Sequence, residues 1–86
     1  MKIISRNEEV NFGEKVHNFY FDENETWVGI TPSSGSWEIQ DGDDDETYMS
    51  GGYVVDGNTV IDYDGCYELP AAVILALSDF GYDIDL

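Results

Sequence analysis

Eighty-six residues suffice for one domain with a modest core, whose stability at about 0.05–0.15 kcal/mol per residue amounts to roughly 4–13 kcal/mol. A hydrophobic fraction of 42%, with two Trp, six Tyr and four Phe, excludes a disordered acidic tail. Nineteen acids against three bases leave a net charge of −16, which argues against direct binding to nucleic acid or an anionic lipid surface, and no apolar run is long enough to span a membrane.

In chain order, the first expected element is a short strand over Lys2–Ser5 (KIIS). Val16–Phe21 (VHNFYF) and Thr26–Thr31 (TWVGIT) are rich in aromatic and β-branched residues, and the polar run DENE, Asp22–Glu25, joins them as a hairpin loop. Pro32-Ser33-Ser34-Gly35 is a turn. Ser36–Gln40 sets Trp37 and Ile39 against Glu38, the alternation of a half-buried strand. An acidic loop follows over Asp41–Asp45, then a short apolar piece at Thr47–Met49 and a break at Gly51-Gly52.

Tyr53–Tyr63 (YVVDGNTVIDY) carries the clearest hairpin signal, two β-branched arms around Asp56-Gly57-Asn58. Asp62-Tyr63-Asp64-Gly65 is expected to turn. The period then changes. Leu69-Pro70 opens a helix with Pro70 at its first position, and Gly81 stops it. Val73, Ile74, Leu77 and Phe80 share one face of that helix, and Leu75 and Ala76 make the other face apolar enough to be covered too. The expectation is one α+β domain over 1–86, an antiparallel sheet of about five or six strands with one C-terminal helix packed on one face.

The charge is unevenly distributed along the chain. Lys2, Arg6 and Lys15 are the only bases, and Glu8, Glu9 and Glu14 cancel them, so residues 16–86 carry the whole −16 without a Lys or Arg. Asp41, Asp43, Asp44, Asp45 and Glu46 place five acids within six residues. Two unit charges about 7 Å apart in water repel by about 0.6 kcal/mol, and physiological salt cuts this to roughly 0.2–0.3. The ten pairs of such a cluster therefore cost roughly 2–3 kcal/mol, a sizeable share of a small domain's stability.

A calcium loop is one reading of that run. Counted from Asp41, positions one, three and five are Asp, but position six is Glu46 where an EF-hand needs Gly, and position twelve is Gly52 where it needs Glu. No metal and no cofactor are expected. Catalysis is not expected either. His17 sits in a strand pattern with Phe19 and Phe21, where a structural or exposed role is the commoner one. Cys66 is flanked by Asp62, Asp64 and Glu68, which disfavour a thiolate, so a small buried apolar residue is expected there. As the single cysteine it forms no internal disulfide, and with a polar N-terminal segment this points to the reduced cytoplasm. Carboxylate pairs at glycosidase spacing carry no specificity among nineteen acids.

Of the aromatic residues, Tyr48, Tyr53 and Tyr63 stand beside acid runs, and Tyr is favoured at interfaces and stacks on Arg. Carboxylates at alternate strand positions lie about 6.6–6.8 Å apart on one side, matching two steps of about 3.4 Å along a DNA strand. Asp41, Asp43 and Asp45 have this i, i+2 spacing if extended, as do Asp62 and Asp64, Asp83 and Asp85, and Glu23 and Glu25.

DGDDDE at 41–46, DENE at 22–25, DYDGCYE at 62–68 and DIDL at 83–86 give the chain a compositional likeness to a functional class. It resembles the small acidic DNA mimics, anti-restriction proteins and anti-CRISPR inhibitors of phages and mobile elements. The resemblance implies a stoichiometric inhibitor that occupies the nucleic-acid site of a defence enzyme or DNA-binding protein. The expected partner is a basic protein surface, a nucleic-acid-binding groove, met by a monomer or small homo-oligomer with no direct nucleic-acid or membrane binding. The expected contacts are Asp41, Asp43, Asp44, Asp45 and Glu46, supported by Glu38, Asp22, Glu23 and Glu25, with Asp56, Asp62 and Asp64 as a second patch and Tyr48 and Tyr53 beside them. The alternatives are an immunity protein or antitoxin against a basic nuclease toxin, and an acidic structural domain whose charge serves solubility or salt adaptation. Seven Ile, five Asn and four Phe depart from the Ala, Val and Thr bias of salt-adapted chains.

Overall fold

The structure is a computed structural model that describes the backbone of residues 1–23, 25–41 and 44–86, and the side chains of these except 41 and 44–47. Seven strands form one sheet in chain order: β1 (Ile3–Asn11), β2 (Glu14–Phe21), β3 (Trp27–Thr31), β4 (Ser36–Asp41), β5 (Asp44–Asp56), β6 (Thr59–Asp64) and β7 (Asp83–Ile84). The first six pair antiparallel with their sequence neighbours, and β7 joins β6 in parallel after the helix α1 (Ala71–Phe80). The α+β architecture with one C-terminal helix is as expected, but the sheet has seven strands rather than five or six.

Each added or extended strand has a local cause. β1 runs well past Ser5 because Phe12 and Gly13, both at positive φ (50° and 81°), turn the chain in two residues. A two-residue loop with positive φ at both positions matches the right-handed twist of a hairpin and keeps both arms in register. The Asn11↔Glu14 pair closes the ladder there. Of the turn expected over Asp62–Gly65, Asp62–Asp64 form the end of β6 and the chain bends at Gly65, whose φ is 116°. No element is predicted over β7. Its backbone N–H groups at Asp83 and Asp85 donate to the carbonyls of Asn58 and Val60, both at 2.9 Å, while Asn58 Nδ2 donates to the Gly81 carbonyl at 2.8 Å.

Gly51-Gly52 does not interrupt β5. A Cβ at Gly51 would stand 2.9 Å from Trp37 Cζ2, so the glycine is the floor on which the indole lies. At Gly52 it would meet the Gly35 and Asp64 carbonyl oxygens at 3.2 Å, which permits the close approach by which Tyr53 N–H reaches the Gly35 carbonyl at 2.9 Å. Trp37 is buried among core residues and cannot retreat. Gly51→Ala is therefore expected to destabilise the fold by about 1–3 kcal/mol through overpacking, measured as a lowered urea midpoint at unchanged m-value.

The core lies between α1 and one face of the sheet. Cross-strand rows Phe19–Val28–Ile39–Met49 and His17–Ile30–Trp37–Gly51 face it. The helix answers with Ala72, Val73, Ala76 and Leu77, all buried, and the two alanines let it lie close over β3 and β4. Pro70 is the N-cap residue rather than the first helical one, and Gly81 at φ 126° ends the helix with its N–H on the Leu77 and Ser78 carbonyls. Leu75 is exposed, so the outer face of α1 is not covered as expected. Cys66 is exposed as well, not a buried apolar residue. Among the described residues no helix is long and apolar enough to cross a membrane.

Candidate functional site

With α1 on one side, the other face of the sheet is left without a covering element among the described residues. Strand alternation assigns it three cross-strand rows: Asn7–Asn18–Gly29–Glu38–Ser50, Ser5–Tyr20–Trp27–Gln40–Tyr48 and Thr31–Ser36–Gly52–Asp64. Glu9 and Glu14 fall on the same face, opposite Val16 and Asn11, and so does Asp62, two residues from Asp64 and opposite Val54. Its centre is a tight floor. Asn18 is buried, with Nδ2 donating to Asn7 Oδ1 at 2.9 Å and to Glu9 Oε1 at 3.2 Å. A Cβ at Gly29 would come within 3.0 Å of Glu38 Oε1 and 3.1 Å of Asn18 Oδ1, so only glycine lets the Glu38 carboxylate lie down across β3.

The carboxylates on this face accept from neutral donors. Ser33 Oγ donates to Glu14 at 3.2 Å, and Tyr48 Oη donates to Glu38 Oε2 at 2.6 Å. All three bases lie elsewhere. Arg6 and Lys15 belong to rows on the helix side, where Arg6 grips Asp79 (Nε–Oδ2 2.6 Å, Nη2–Oδ1 3.0 Å) and Lys15 lies 3.5 Å from Glu8. Lys2 lines a hollow with Leu75, Ser78 and Asp79. Five carboxylates of the open face, Glu9, Glu14, Glu38, Asp62 and Asp64, thus have no cation among the described residues of that face. Neutral donors satisfy lone pairs without cancelling charge, so the face keeps its negative potential.

The bond to Glu38 holds the Tyr48 phenol, whose acidity is pushed down until its pKa reaches about 12, with partial burial adding to the effect. A folded pKa above the unfolded value of about 10 means that this bond contributes fully below about pH 10 and is lost as pH rises through 12. Tyr48→Phe should lower the urea midpoint at neutral pH and flatten its fall over that alkaline window.

At one end of the face, Asn11, Phe12, Glu14, Val16, Glu38 and Tyr48 border a cavity of 350 Å³. Phe12 at its rim is fully exposed and sits at φ 50°. A left-handed backbone costs a non-glycine residue about 1–2 kcal/mol, and an exposed ring recovers nothing from core packing. Such a residue stands where the fold alone would place Asn or Gly.

The chain matches no known family model, no curated protein and no solved structure. The site is therefore defined by its own geometry. Phe12→Gly is expected to raise stability by about 1 kcal/mol by relieving the backbone, read as a raised urea midpoint.

Glu38, Tyr48, Asp62 and Asp64, expected as contacts, are brought onto the open face, and Glu38 and Asp64 lie in adjacent rows, so parts of the two expected patches share it. Asp43 lies outside the described residues, as do the side chains of Asp41, Asp44, Asp45 and Glu46. Asp22 and Glu23 are engaged by the chain's own start. The Lys2 N–H donates to Asp22 at 2.8 Å and holds its carboxyl below the usual range, and the Met1 amino group lies 3.2 Å from Glu23. Glu25 sits at φ 52°, so Glu23 and Glu25 do not have the extended spacing expected of them. Asp56 is exposed at the β5–β6 turn. Tyr53 is a core residue, 5% exposed, and its phenol pKa is pushed up by burial; it is not available to a partner.

Glu9, Glu14, Tyr20, Trp27 and Phe12 join the site without having been expected there. The signal was the alternation Asn7, Glu9, Asn11 followed, across Phe12-Gly13, by Glu14, Val16, Asn18 and Tyr20. Reading Glu9 and Glu14 only as counter-charges to Arg6 and Lys15 hid it, because strand alternation sends them to the opposite face.

Proposed function

We propose that this protein is a small non-catalytic inhibitor that imitates nucleic-acid phosphates and occupies the basic nucleic-acid-binding groove of another protein, of the anti-CRISPR or anti-restriction type. The observation that carries this reading is the segregation of charge. Every Lys and Arg of the chain lies on the helix side or its margin, and the open face presents Glu9, Glu14, Glu38, Asp62 and Asp64 with Tyr20, Trp27 and Tyr48 among them.

Same-face residues along one strand lie about 6.7 Å apart, so Asp62 and Asp64 on β6 have the spacing of two phosphate steps, while Glu9, Glu14 and Glu38 stand on β1, β2 and β4 at wider separations. Arg and Lys of a groove would find charge-assisted acceptors there, and the aromatic rings offer faces on which guanidinium stacks. Contact would relieve the like-charge repulsion that the free protein carries, and the attraction would speed the encounter.

The test is capture from the native host with the immobilised protein, after nuclease treatment, followed by competition. The retained protein should bind nucleic acid, release this protein when duplex or single-stranded nucleic acid is added, and bind about tenfold or more weakly as salt rises severalfold, as counterion-linked complexes do. Simultaneous binding of nucleic acid and this protein by the partner, or retention indifferent to salt, would contradict phosphate imitation.

A further inference from the structure

The two edges of the sheet differ. β7 is two residues long and lies beside the helix, whereas β1 presents nine residues whose second edge has no strand beside it among the described residues. Natural edges of that length are blunted by Pro, by bulges or by lysines, because an open ladder recruits another strand. β1 contains no Pro and no Lys, its charges (Arg6, Glu8 and Glu9) are of both signs, and its one bulge lies at the start, between Ile3 and Ser5, leaving Ile4 without a partner on β2 and Arg6–Asn11 regular. Ile4 is 60% exposed and Val10 is 72% exposed. This edge is close to neutral, for β1 sets Arg6 against Glu8 and Glu9.

The sequence of β1, IISRNEEVN, is self-complementary when reversed about Asn7. An antiparallel partner centred there sets Ile4 against Val10 and Arg6 against Glu8, each twice by symmetry. Apolar side chains then meet at both ends and opposite charges on either side of the centre, where cross-strand pairs act most strongly. Arg6 uses Nε and Nη2 on Asp79, which leaves Nη1 for Glu8 of the second copy. We infer that β1 is the interface of a symmetric homodimer in which two sheets join edge to edge, Arg6 of each copy facing Glu8 of the other. An isologous strand pair closes on itself, so the same edge does not propagate into fibres.

Two molecules of charge −16 repel, and this fixes the sign of the salt effect. Screening strengthens self-association, whereas it weakens capture of a basic partner, so the two ideas fail separately. Sedimentation equilibrium of the full chain is run up to about 1 mM, the Kd range of a weak pair, at about 0.15 M and about 1 M salt, where the Debye length falls from about 8 to about 3 Å. The expected particle is twice 9.7 kDa and becomes more populated at high salt. Arg6→Glu and Glu8→Arg should each weaken the dimer at least about tenfold, the effect of losing about 1.4 kcal/mol. Their equal mixture should restore a mixed dimer, because both cross-pairs then become attractive. Val10→Glu, at a position away from the core, should also be monomeric with an unchanged circular dichroism spectrum. A wild-type chain that stays monomeric throughout would overturn the inference, as would charge variants that associate as tightly as the wild type or a folded mixture that does not pair.

Discussion

Changing Glu9, Glu14 and Glu38 to Gln and Asp62 and Asp64 to Asn in one variant should weaken binding of the captured partner by about two to three orders of magnitude. Exposed ion pairs contribute about 0.2–1 kcal/mol each, and five at about 0.6–0.8 give roughly 3–4 kcal/mol, which is that loss in Kd. The fold should survive and gain slightly. The net charge moves from −16 to −11, and each of these carboxylates that has a hydrogen-bond partner is held by a neutral donor that an amide oxygen satisfies equally. The companion variant, Asp43, Asp44 and Asp45 together to Asn, is expected to lose binding to a similar degree with its fold intact. Calorimetry of both at one salt concentration separates two cases. If only the second variant loses affinity, the acidic run acts by itself and the open face is a solvated surface.

Leu77→Ala should have the largest effect on stability. Leu77 is fully buried between α1 and the sheet, and helix contacts with β3, β4 and β7 are what close the core on that side. Truncating a buried Leu costs about 2–5 kcal/mol from lost burial and the cavity left behind. Against a total of roughly 4–13 kcal/mol that removes a large share of the stability. Two residues earlier, Leu75 is exposed, and Leu75→Ala should change stability by no more than about 0.5 kcal/mol. Urea unfolding of the pair checks which helix face is buried. Equal effects would mean that α1 is not docked as described.

The fold was largely legible because its signals are local. The Asp56-Gly57-Asn58 hairpin, the Trp37/Ile39 alternation and the Pro70 and Gly81 helix limits follow from chemistry within a few residues of each position. What was not legible depended on contacts distant in sequence. Gly51 reads as a strand breaker until Trp37 is known to lie on it, and Asp83–Ile84 has no strand signal until Asn58 and Val60 supply the carbonyls that it meets. The predicted first strand ends at Ser5 for a different reason. Phe-Gly is a poor two-residue turn by propensity, because the first position wants Asn, so Asn11–Glu14 did not read as a hairpin.

The site shows the same division. Glu38, Asp62 and Asp64 stand out by composition, but whether they share a face is a matter of register across β4, β5 and β6. Lys15 and Glu14 are adjacent in sequence and cancel on paper. Strand alternation puts them on opposite faces, and this is the step by which a neutral segment contributes Glu9 and Glu14 to one surface and Arg6 and Lys15, together with Glu8, to the other. Counting charge along the chain averages over that separation.

Backbone chemical-shift mapping of the labelled protein with its captured partner tests the central idea most directly. The predicted result is perturbation concentrated at Glu9, Asn18, Gly29, Glu38 and Asp64, with Leu75 and Ser78 on the outer side of α1 unmoved. Perturbation centred on the outer side of α1, with the β2–β4 amides unchanged, would contradict it.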